Sequence, residues 1–233
     1  MTATQVPVAI TQAPPYRVHE GKTAVITDGA RSIGASIAQN LASKGANVVL
    51  VYLSQTSDEP AASLAAELSK AHNVKALPVR SDFSTPEGCS KIVDAVEGDL
   101  PPNAQLGRPQ VDILVNCAAV FHADFHSIYS VNVLGPILPH PGGEAAPARG
   151  PLRPHPRAPE DAKKAISMWY PLTPLSGIRE WDSDEQKEMA DKYGGRAGYA
   201  EEIAGIVGMI CSPESGWMTG CLVSANGGQW MAS

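Results

Sequence analysis

A short apolar run that passes through a glycine-containing turn straight into a helical pattern constrains this chain more than any other feature. The run is Thr23–Thr27, the turn carries Gly29 and Gly34, and the helical pattern continues to Lys44 and closes at Gly45. A strand, a tight turn and a helix in this order bring backbone N–H groups and a helix N-terminus to a pyrophosphate. The segment therefore predicts a dinucleotide-binding turn.

Two positions of this turn depart from the usual pattern. Turns of this kind favour glycine where the chain has Asp28 and Ser32. Asp28 adds a β-carbon where the backbone needs room and a negative charge close to the expected pyrophosphate. Aspartate tolerates unusual backbone angles better than most residues. We therefore expect the turn to form and Asp28 to weaken phosphate binding.

Strand and helix patterns alternate from residue 22 to about residue 135. Continuous apolar strands separated by helices are typical of a parallel sheet covered on both faces. This predicts an α/β fold, a Rossmann-like, doubly wound parallel β-sheet. The third helix has a Ser84-x-x-Glu87 capping box, with Thr85 and Asp82 as other possible caps. The predicted strands are Thr23–Thr27, Asn47–Tyr52, Val74–Val79 and Val111–Val115, and the predicted helices are Ile33–Lys44, Ala61–Ala71 and Pro86–Val96.

The alternation stops at a segment with eight prolines between Pro136 and Pro159. Proline removes a backbone donor and breaks helix interiors and central strands, so an irregular insert is predicted at about 136–160. The pattern resumes with an apolar run (165–170), a helix (200–211) and a last strand (221–224). We predict a single domain, 22–233, after an N-terminal lead, 1–21.

Composition narrows the class of partner. The chain has 233 residues and a net charge of −6, so no basic face for nucleic acid stands out. No apolar stretch of 18 residues predicts a membrane span. The four cysteines show no CxxC spacing and are read as structural thiols of a cytoplasmic protein. His122 and His126 flank Asp124 without a third ligand, so we expect no metal site.

The second strand indicates which dinucleotide is bound. An acid at its end, about 20 residues after the turn, normally binds the ribose hydroxyls and repels a 2′-phosphate. Here the strand ends in Tyr52, and no acid follows before Asp58. Arg31 can clamp a 2′-phosphate with two hydrogen bonds, and Ser54 can add a hydroxyl. These residues favour NADP(H), although Arg31 as a solvated loop residue remains an alternative.

Six motifs in order resemble those of the short-chain dehydrogenase/reductase family, over about residues 22–135 and 194–230. They are Thr27-x-Gly-x-Arg-x-Ile-Gly34, Asp82, Asn116-Cys-Ala-Ala119, Asn132-Val-x-Gly135, Gly195-Arg-x-Gly-x-x-Glu-Glu-Ile-Ala204 and Thr219-Gly-x-x-x-Ser-x-x-Gly-Gly228. The resemblance implies that Asp82 and Phe83 hold the adenine, that Asn116 and Ala118 line the ribose and nicotinamide side, and that Asn132 belongs to the catalytic proton relay. The predicted cofactor-binding residues are Thr27, Gly29, Arg31, Ser32, Ile33, Gly34, Tyr52, Ser54, Asp82, Phe83, Asn116 and Ala118.

The family's reaction also needs a tyrosine with a lysine four residues later, and a serine on the preceding strand. None of the six tyrosines has lysine at that spacing. The stretch between Asn132 and Gly195 leaves little room for two strand–helix crossovers beside the proline-rich insert. At least one strand and the catalytic helix are therefore predicted to be lacking. Tyr170 is either a replacement acid or a residue packed beside Trp169.

Three interpretations of function stay open at this point. The first is an NADP(H)-dependent carbonyl reductase by descent that acts on a small or mid-sized biosynthetic intermediate, which includes intermediates of secondary metabolism. The second is a catalytically impaired or non-redox protein that binds cofactor or ligand on the same scaffold, and the third is the product of a broken gene. A homo-oligomer also stays open. Members of the family usually pair through helices of the second half, and this pairing would be affected if one of those helices is lacking.

Overall fold

The computed structural model describes residues 16–103, 107–119, 164–167, 199–218, 220, 221 and 223–225, with 164–167 described by their backbone. Its strands and helices follow one another in the alternating order expected from the sequence. They are β1 (Thr23–Thr27), α1 (Ser32–Ser43), β2 (Asn47–Tyr52), α2 (Asp58–His72), β3 (Ala76–Arg80), α3 (Pro86–Asp99), β4 (Ile113–Asn116), β5 (Lys164–Ser167) and α4 (Ala200–Ile210).

The five strands form one parallel sheet in the order β3-β2-β1-β4-β5. The chain runs outward from β1 to β3 and then crosses back to β4, which is the connectivity of a doubly wound sheet. All residues of β1, β2 and β4 are buried, because helices cover both faces. The predicted Rossmann-like fold class is confirmed.

Two apolar layers hold the helices against the sheet. On one face, Ile37 and Leu41 of α1 meet Val207 of α4 and alternate residues of the central strands. On the other face, Ile92 and Val96 of α3 pack against the remaining strand residues. Alternate side chains of a strand point to opposite faces, so each strand contributes to both layers. This two-sided packing fixes the carboxyl ends of β1, β2 and β4 next to one another.

The strand beside β4 comes from the segment after the proline-rich insert. Residues Lys164–Ser167 pair with Ile113–Asn116 in register, so that Ser167 lies opposite Asn116. The spacing argument leaves little room for two strand–helix crossovers beside the insert, and the apolar run that begins near residue 165 supplies one of their strands, β5. That at least one strand is lacking stays a prediction. The helix predicted to be lacking falls on residues outside those described.

Two further boundaries differ from the sequence prediction. Residues Cys221, Val223 and Ser224 are not in a strand, so the predicted last strand is wrong at those described positions. The lead of 1–21 is too long, because its last residues are part of the fold. His19 is completely buried and its backbone N–H donates to the carbonyl of Lys44, 2.9 Å away.

The start of α3 also differs in its cap. Thr85, rather than Ser84, is the N-cap, and its hydroxyl accepts a hydrogen bond from the backbone N–H of Gly88 at 3.1 Å. Ser84 instead donates its N–H and hydroxyl to the carboxylate of Asp82.

In the described part of the chain, no helix is both long and apolar enough to span a membrane.

Candidate nucleotide-binding site

The turn between β1 and α1 has left-handed backbone at the two positions where glycine is usual. Asp28 has φ of 54° and Ser32 has φ of 47°. A side chain in this region costs roughly 1–2 kcal/mol, although aspartate is one of the residues that enter it most readily. The backbone required of the turn therefore forms in spite of both substitutions.

Gly34 allows the two arms of the turn to come close together. A β-carbon on Gly34 would lie 2.2 Å from the carbonyl oxygen of Asp28, far inside contact distance. Gly29 is similarly enclosed, and its backbone N–H donates to the carbonyl of Val51 at 3.0 Å. The two glycines that the chain retains are thus those that the close approach of backbone requires.

Thr27 ties the turn to the end of β4. Its hydroxyl oxygen accepts hydrogen bonds from the backbone N–H groups of Cys117 and Ala118, both at 3.0 Å. The same hydroxyl donates to the carbonyl of Val115 at 3.4 Å. These bonds join Thr27 to Val115, Cys117 and Ala118. They connect two of the residues predicted to line the cofactor, Thr27 and Ala118, across the segment that contains a third, Asn116.

Arg31 is engaged by the residue that was expected to oppose phosphate. Its Nε donates to both carboxylate oxygens of Asp28, at 2.9 and 3.1 Å. The Asp28 side chain is 22% exposed and that of Arg31 is 64% exposed. The prediction of Arg31 as a free clamp for a 2′-phosphate needs this correction: in the structure its guanidinium binds a carboxylate of the turn.

Burial acts on the ionisable groups around this pair. Desolvation raises the pKa of the Asp28 carboxyl, and the hydrogen bond and charge of Arg31 oppose the rise. Burial, with a smaller contribution from the charge of Asp28, raises the pKa of the Cys117 thiol to about 12. A thiol with a raised pKa is rarely ionised and therefore unreactive. This agrees with the prediction of Cys117 as a structural cysteine.

A second acid–arginine pair lies where β2 and β3 end. Arg80 stands opposite Tyr52 in the register of the two strands, and its Nη1 donates to Asp58 at 2.9 Å. Burial and a hydrogen bond to Asp58 raise the pKa of Tyr52. The hydroxyl of Ser54 is 2.7 Å from that of Thr56. Sequence reasoning missed Arg80, although it is the last residue of a strand whose carboxyl end was expected to face the cofactor.

A cavity of about 350 Å³ opens beside Asp82 at the same edge of the sheet. Asp82 accepts hydrogen bonds from the N–H and hydroxyl of Ser84, at 3.0 and 2.6 Å, which hold its carboxylate in place. Phe83 packs against the apolar layer under α3. The cavity is lined by Leu53, Arg80, Ser81, Asp82, Thr85, Glu87, Gly88 and Lys91.

The register of β5 identifies a residue that sequence reasoning left unassigned. Ser167 ends β5 opposite Asn116, at the carboxyl edge where β1 and β4 also end. The family places a serine on the strand that precedes its catalytic helix. The signal that the sequence offers is a single serine inside the short apolar run 165–170.

Several predicted residues lie outside the described part of the chain. These are Asn132, the pair His122 and His126 with Asp124, and Tyr170. Within the described residues, no group of three or more His, Cys, Asp or Glu side chains could hold a metal ion.

The site offers a backbone cradle of the kind that a dinucleotide requires. The left-handed residues, the enclosed Gly34 and the start of α1 form a concave turn at a helix N-terminus, which suits a phosphate. The carboxylate of Asp28 is the described feature of the turn that does not suit an anion. The residues present therefore fit NADP(H) in shape, with one opposing charge.

Comparison with known proteins agrees with this geometry. A family model described as short chain dehydrogenase matches residues 22–140, just over half of the chain. L-xylo-3-hexulose reductase of Hypocrea jecorina is 30% identical over an alignment that covers 93% of this chain and 99% of the relative. L-xylulose reductase of Aspergillus niger is 29% identical, with 90% and 97% covered.

A solved structure shares the fold at lower sequence identity. A blue fluorescent protein from a metagenomic library, crystallised with NADPH, superposes with a TM-score of 0.68 at 20% identity. The match covers 90% of this chain and 98% of that chain. At this identity the likeness concerns the fold alone.

Proposed function

Because the chain belongs to the short-chain dehydrogenase family, we propose that it is an NADP(H)-dependent carbonyl reductase. The observation that carries this proposal is the turn itself: it keeps left-handed backbone at Asp28 and Ser32, where side chains disfavour it. A turn that served only to connect a strand with a helix would not need this conformation. This backbone geometry supports a ligand-binding role for the turn.

The residues of the turn and of the neighbouring strand ends would hold the dinucleotide. The backbone from Gly29 to Gly34 would receive the pyrophosphate at the N-terminus of α1. Asp82 and Phe83 would enclose the adenine, and Asn116 and Ala118 would line the ribose and nicotinamide side. A blue fluorescent protein of the same fold is solved with NADPH, so this fold can accommodate the cofactor.

The choice of NADP(H) over NAD(H) rests on charges at the end of β2. No acid follows Tyr52 before Asp58, and the carboxylate of Asp58 is paired with Arg80. An acid that is held by an arginine repels a 2′-phosphate less than a free one does. Arg31 and Arg80 are cations at this edge of the sheet that could contact that phosphate, and Lys91 lines the same cavity as Arg80.

When bound, NADPH would supply a hydride to the carbonyl carbon of a ketone, which becomes an alcohol. Ser167, at the end of β5 opposite Asn116, would orient the carbonyl oxygen with its hydroxyl. The relay that includes Asn132 would bring a proton from solvent to that oxygen. These two residues would provide orientation and proton supply, while the tyrosine–lysine pair of the family is not found in the sequence.

The proposed substrate class is a small polyhydroxylated ketone. Two relatives that align along nearly their whole length are named as reductases of L-xylo-3-hexulose and L-xylulose, both keto sugars. Such a substrate needs several polar contacts and little apolar surface. The alternative within the same reaction class is a ketone intermediate of secondary metabolism.

A second function is favoured by one sequence observation. The alignment with L-xylo-3-hexulose reductase runs over 302 positions, whereas this chain has 233 residues, so parts of the relative have no counterpart here. Together with the missing tyrosine–lysine spacing, this supports a protein that binds cofactor without turnover.

A titration of the purified protein with NADPH and NADH separates these possibilities. The proposal expects saturable binding, a higher melting temperature with NADPH than with NADH, and NADPH oxidation with L-xylulose or L-xylo-3-hexulose. Thermal protection without oxidation of NADPH by any ketone would favour the binding protein. Absence of a response to both cofactors would contradict the proposed function altogether.

A further inference from the structure

Asp28 places a carboxylate inside a turn that is otherwise arranged for an anion. The left-handed backbone of residue 28 and the contact of its carbonyl with Gly34 fix where this side chain begins. The carboxylate is mostly buried and makes two contacts with Nε of Arg31. The turn of the free protein thus already contains one anion and the cation that binds it.

The pair uses the same chemistry that a phosphate would use. A guanidinium binds carboxylate and phosphate alike through charge-assisted hydrogen bonds. Arg31 is 64% exposed, so its remaining N–H groups reach solvent, but its Nε is taken by Asp28. A phosphate in the turn would therefore meet a partly occupied cation and a nearby carboxylate of like charge.

We propose that Asp28 is an internal competitor of the cofactor phosphate, and that the dinucleotide binds by taking Arg31 from Asp28 while Asp28 takes up a proton. This inference rests on the proposed function, since it concerns the same cofactor. It makes Asp28 and Arg31 residues that set the affinity for NADP(H) and its dependence on pH.

Proton uptake follows from what Asp28 would face in the complex. In the free protein its charged neighbour is Arg31 on the same turn, and the buried Cys117 thiol lies nearby from β4. Without Arg31 and next to a phosphate, a buried carboxylate strongly favours its neutral form. Desolvation already raises its pKa in the free protein, against the effect of Arg31. One proton is therefore bound with the cofactor.

The test measures NADP⁺ binding by titration calorimetry from pH 5.5 to 8.5, for the natural protein and for Asp28→Asn. Asparagine has the same shape, adopts left-handed backbone and carries no charge. We expect Asp28→Asn to bind NADP⁺ about tenfold more tightly at pH 7.5, the change that corresponds to about 1.4 kcal/mol. We also expect log Kd of the natural protein to rise more steeply with pH than that of the variant, by up to one unit per pH unit.

Arg31→Ala tests whether the carboxylate acts through the arginine. If Asp28 competes for Arg31, Asp28→Asn tightens binding about tenfold with Arg31 present and less than threefold in the Arg31→Ala background. Equal tightening in both backgrounds would show simple repulsion of the phosphate and overturn the competition. The 2′-phosphate of NADP⁺ also ionises in this pH range. Its contribution is common to the proteins with Asp28 and with Asp28→Asn, so it cancels when the two are compared in the same background.

The chain provides a matched control in another acid–arginine pair of the same spacing. Arg17 and Glu20 lie three residues apart, and Nε of Arg17 is 3.5 Å from a carboxylate oxygen of Glu20. Both precede the N-terminal end of β1, whereas the nucleotide turn follows its C-terminal end. Glu20→Gln should leave the affinity for NADP⁺ and its pH dependence unchanged. If neither the natural protein nor Asp28→Asn bound NADP⁺, the proposed function would fail as well. If both bound it with equal affinity and pH dependence, this inference alone would fail.

Discussion

The hydroxyl oxygen of Thr27, the last residue of β1, accepts a hydrogen bond of 3.0 Å from the backbone N–H of Cys117, just beyond β4. A second N–H, that of Ala118, donates to the same oxygen. One side chain therefore satisfies two backbone donors of another strand end. The position of Asn116 relative to the nucleotide turn depends on this bridge.

Thr27→Val should destabilise the protein, because valine keeps the shape of threonine but removes the oxygen to which both N–H groups donate. The N–H of Cys117 would keep only the carbonyl of Val115, at 3.1 Å. We expect the free energy of unfolding to fall by about 2 kcal/mol, as measured by urea denaturation. Thr27→Ser, which keeps the hydroxyl, should lose less than half of that amount. Equal losses for the two variants would show that packing of the methyl group matters, and not the hydrogen bonds.

Gly34→Ala should damage the turn, since its new β-carbon would lie 2.2 Å from the carbonyl oxygen of Asp28. We expect a loss of about 2–3 kcal/mol of stability from overpacking against backbone, and at least tenfold weaker NADPH binding. Gly205→Ala in α4 is the matched control. Among the described residues, no atom apart from its chain neighbours and the adjacent backbone of its own helix lies within 4 Å of its new β-carbon. It should gain about 0.5–1 kcal/mol in the helix and leave binding unchanged.

Ser32→Gly should stabilise the protein by about 0.5–1 kcal/mol, because glycine enters left-handed backbone without the steric cost that serine carries. Ser43→Gly, at the other end of α1, should instead lower stability by about 0.5–1 kcal/mol, since residue 43 is helical. Chemical denaturation of both variants measures the two shifts. If both variants changed the stability in the same direction, strain at Ser32 would be absent in solution.

Stability should fall in mild acid because of His19. This imidazole is completely buried, and within the described residues neither ring nitrogen has a hydrogen-bond partner. Burial first, and then the charges of Lys22 and Lys44, lower its pKa to about 4, although Glu214 opposes the shift. The unfolded chain binds a proton near pH 6.5 and the folded one does not, so stability is lost as pH falls from about 6.5 to 4, by about 3 kcal/mol at most.

His19→Phe should remove this part of the acid sensitivity while the stability at pH 7 stays within about 1 kcal/mol of the natural protein, since an apolar ring of similar size replaces nitrogens that bind nothing in the described structure. His72→Gln, at the end of α2, is the control and should keep the natural profile. The measurement is the midpoint of urea unfolding between pH 4 and 7. An unchanged profile in His19→Phe would contradict the argument.

The sequence predicts the sheet well where strands are continuously apolar. β1 and β2 have the predicted bounds, and β3 and β4 differ by one or two residues. β5 has four residues with a lysine at its start, and such a short run does not distinguish a strand from other structures. Pairing with β4 makes this run a strand, and pairing between segments far apart in the chain leaves no signal in the local sequence.

The site is predictable in its position but less so in its contacts. The glycine pattern locates the turn and anticipates the strain at Asp28 and Ser32. Asp28 and Arg31 lie three residues apart, a spacing that permits an ion pair. Taken alone, however, Asp28 suggests repulsion of a phosphate and Arg31 suggests binding of one. Burial of His19 has no local signal, because it depends on how the segment before β1 lies against the end of α1.

The pairing of Ser167 with Asn116 means that the chain travels from residue 116 to residue 164 before it rejoins the sheet. The entropy of closing such a connection rises only with the logarithm of its length, about 0.6 kcal/mol for each doubling. Insertions and deletions between β4 and β5 therefore cost the sheet little. The strands that carry the nucleotide turn can therefore keep their register while the length of this connection varies.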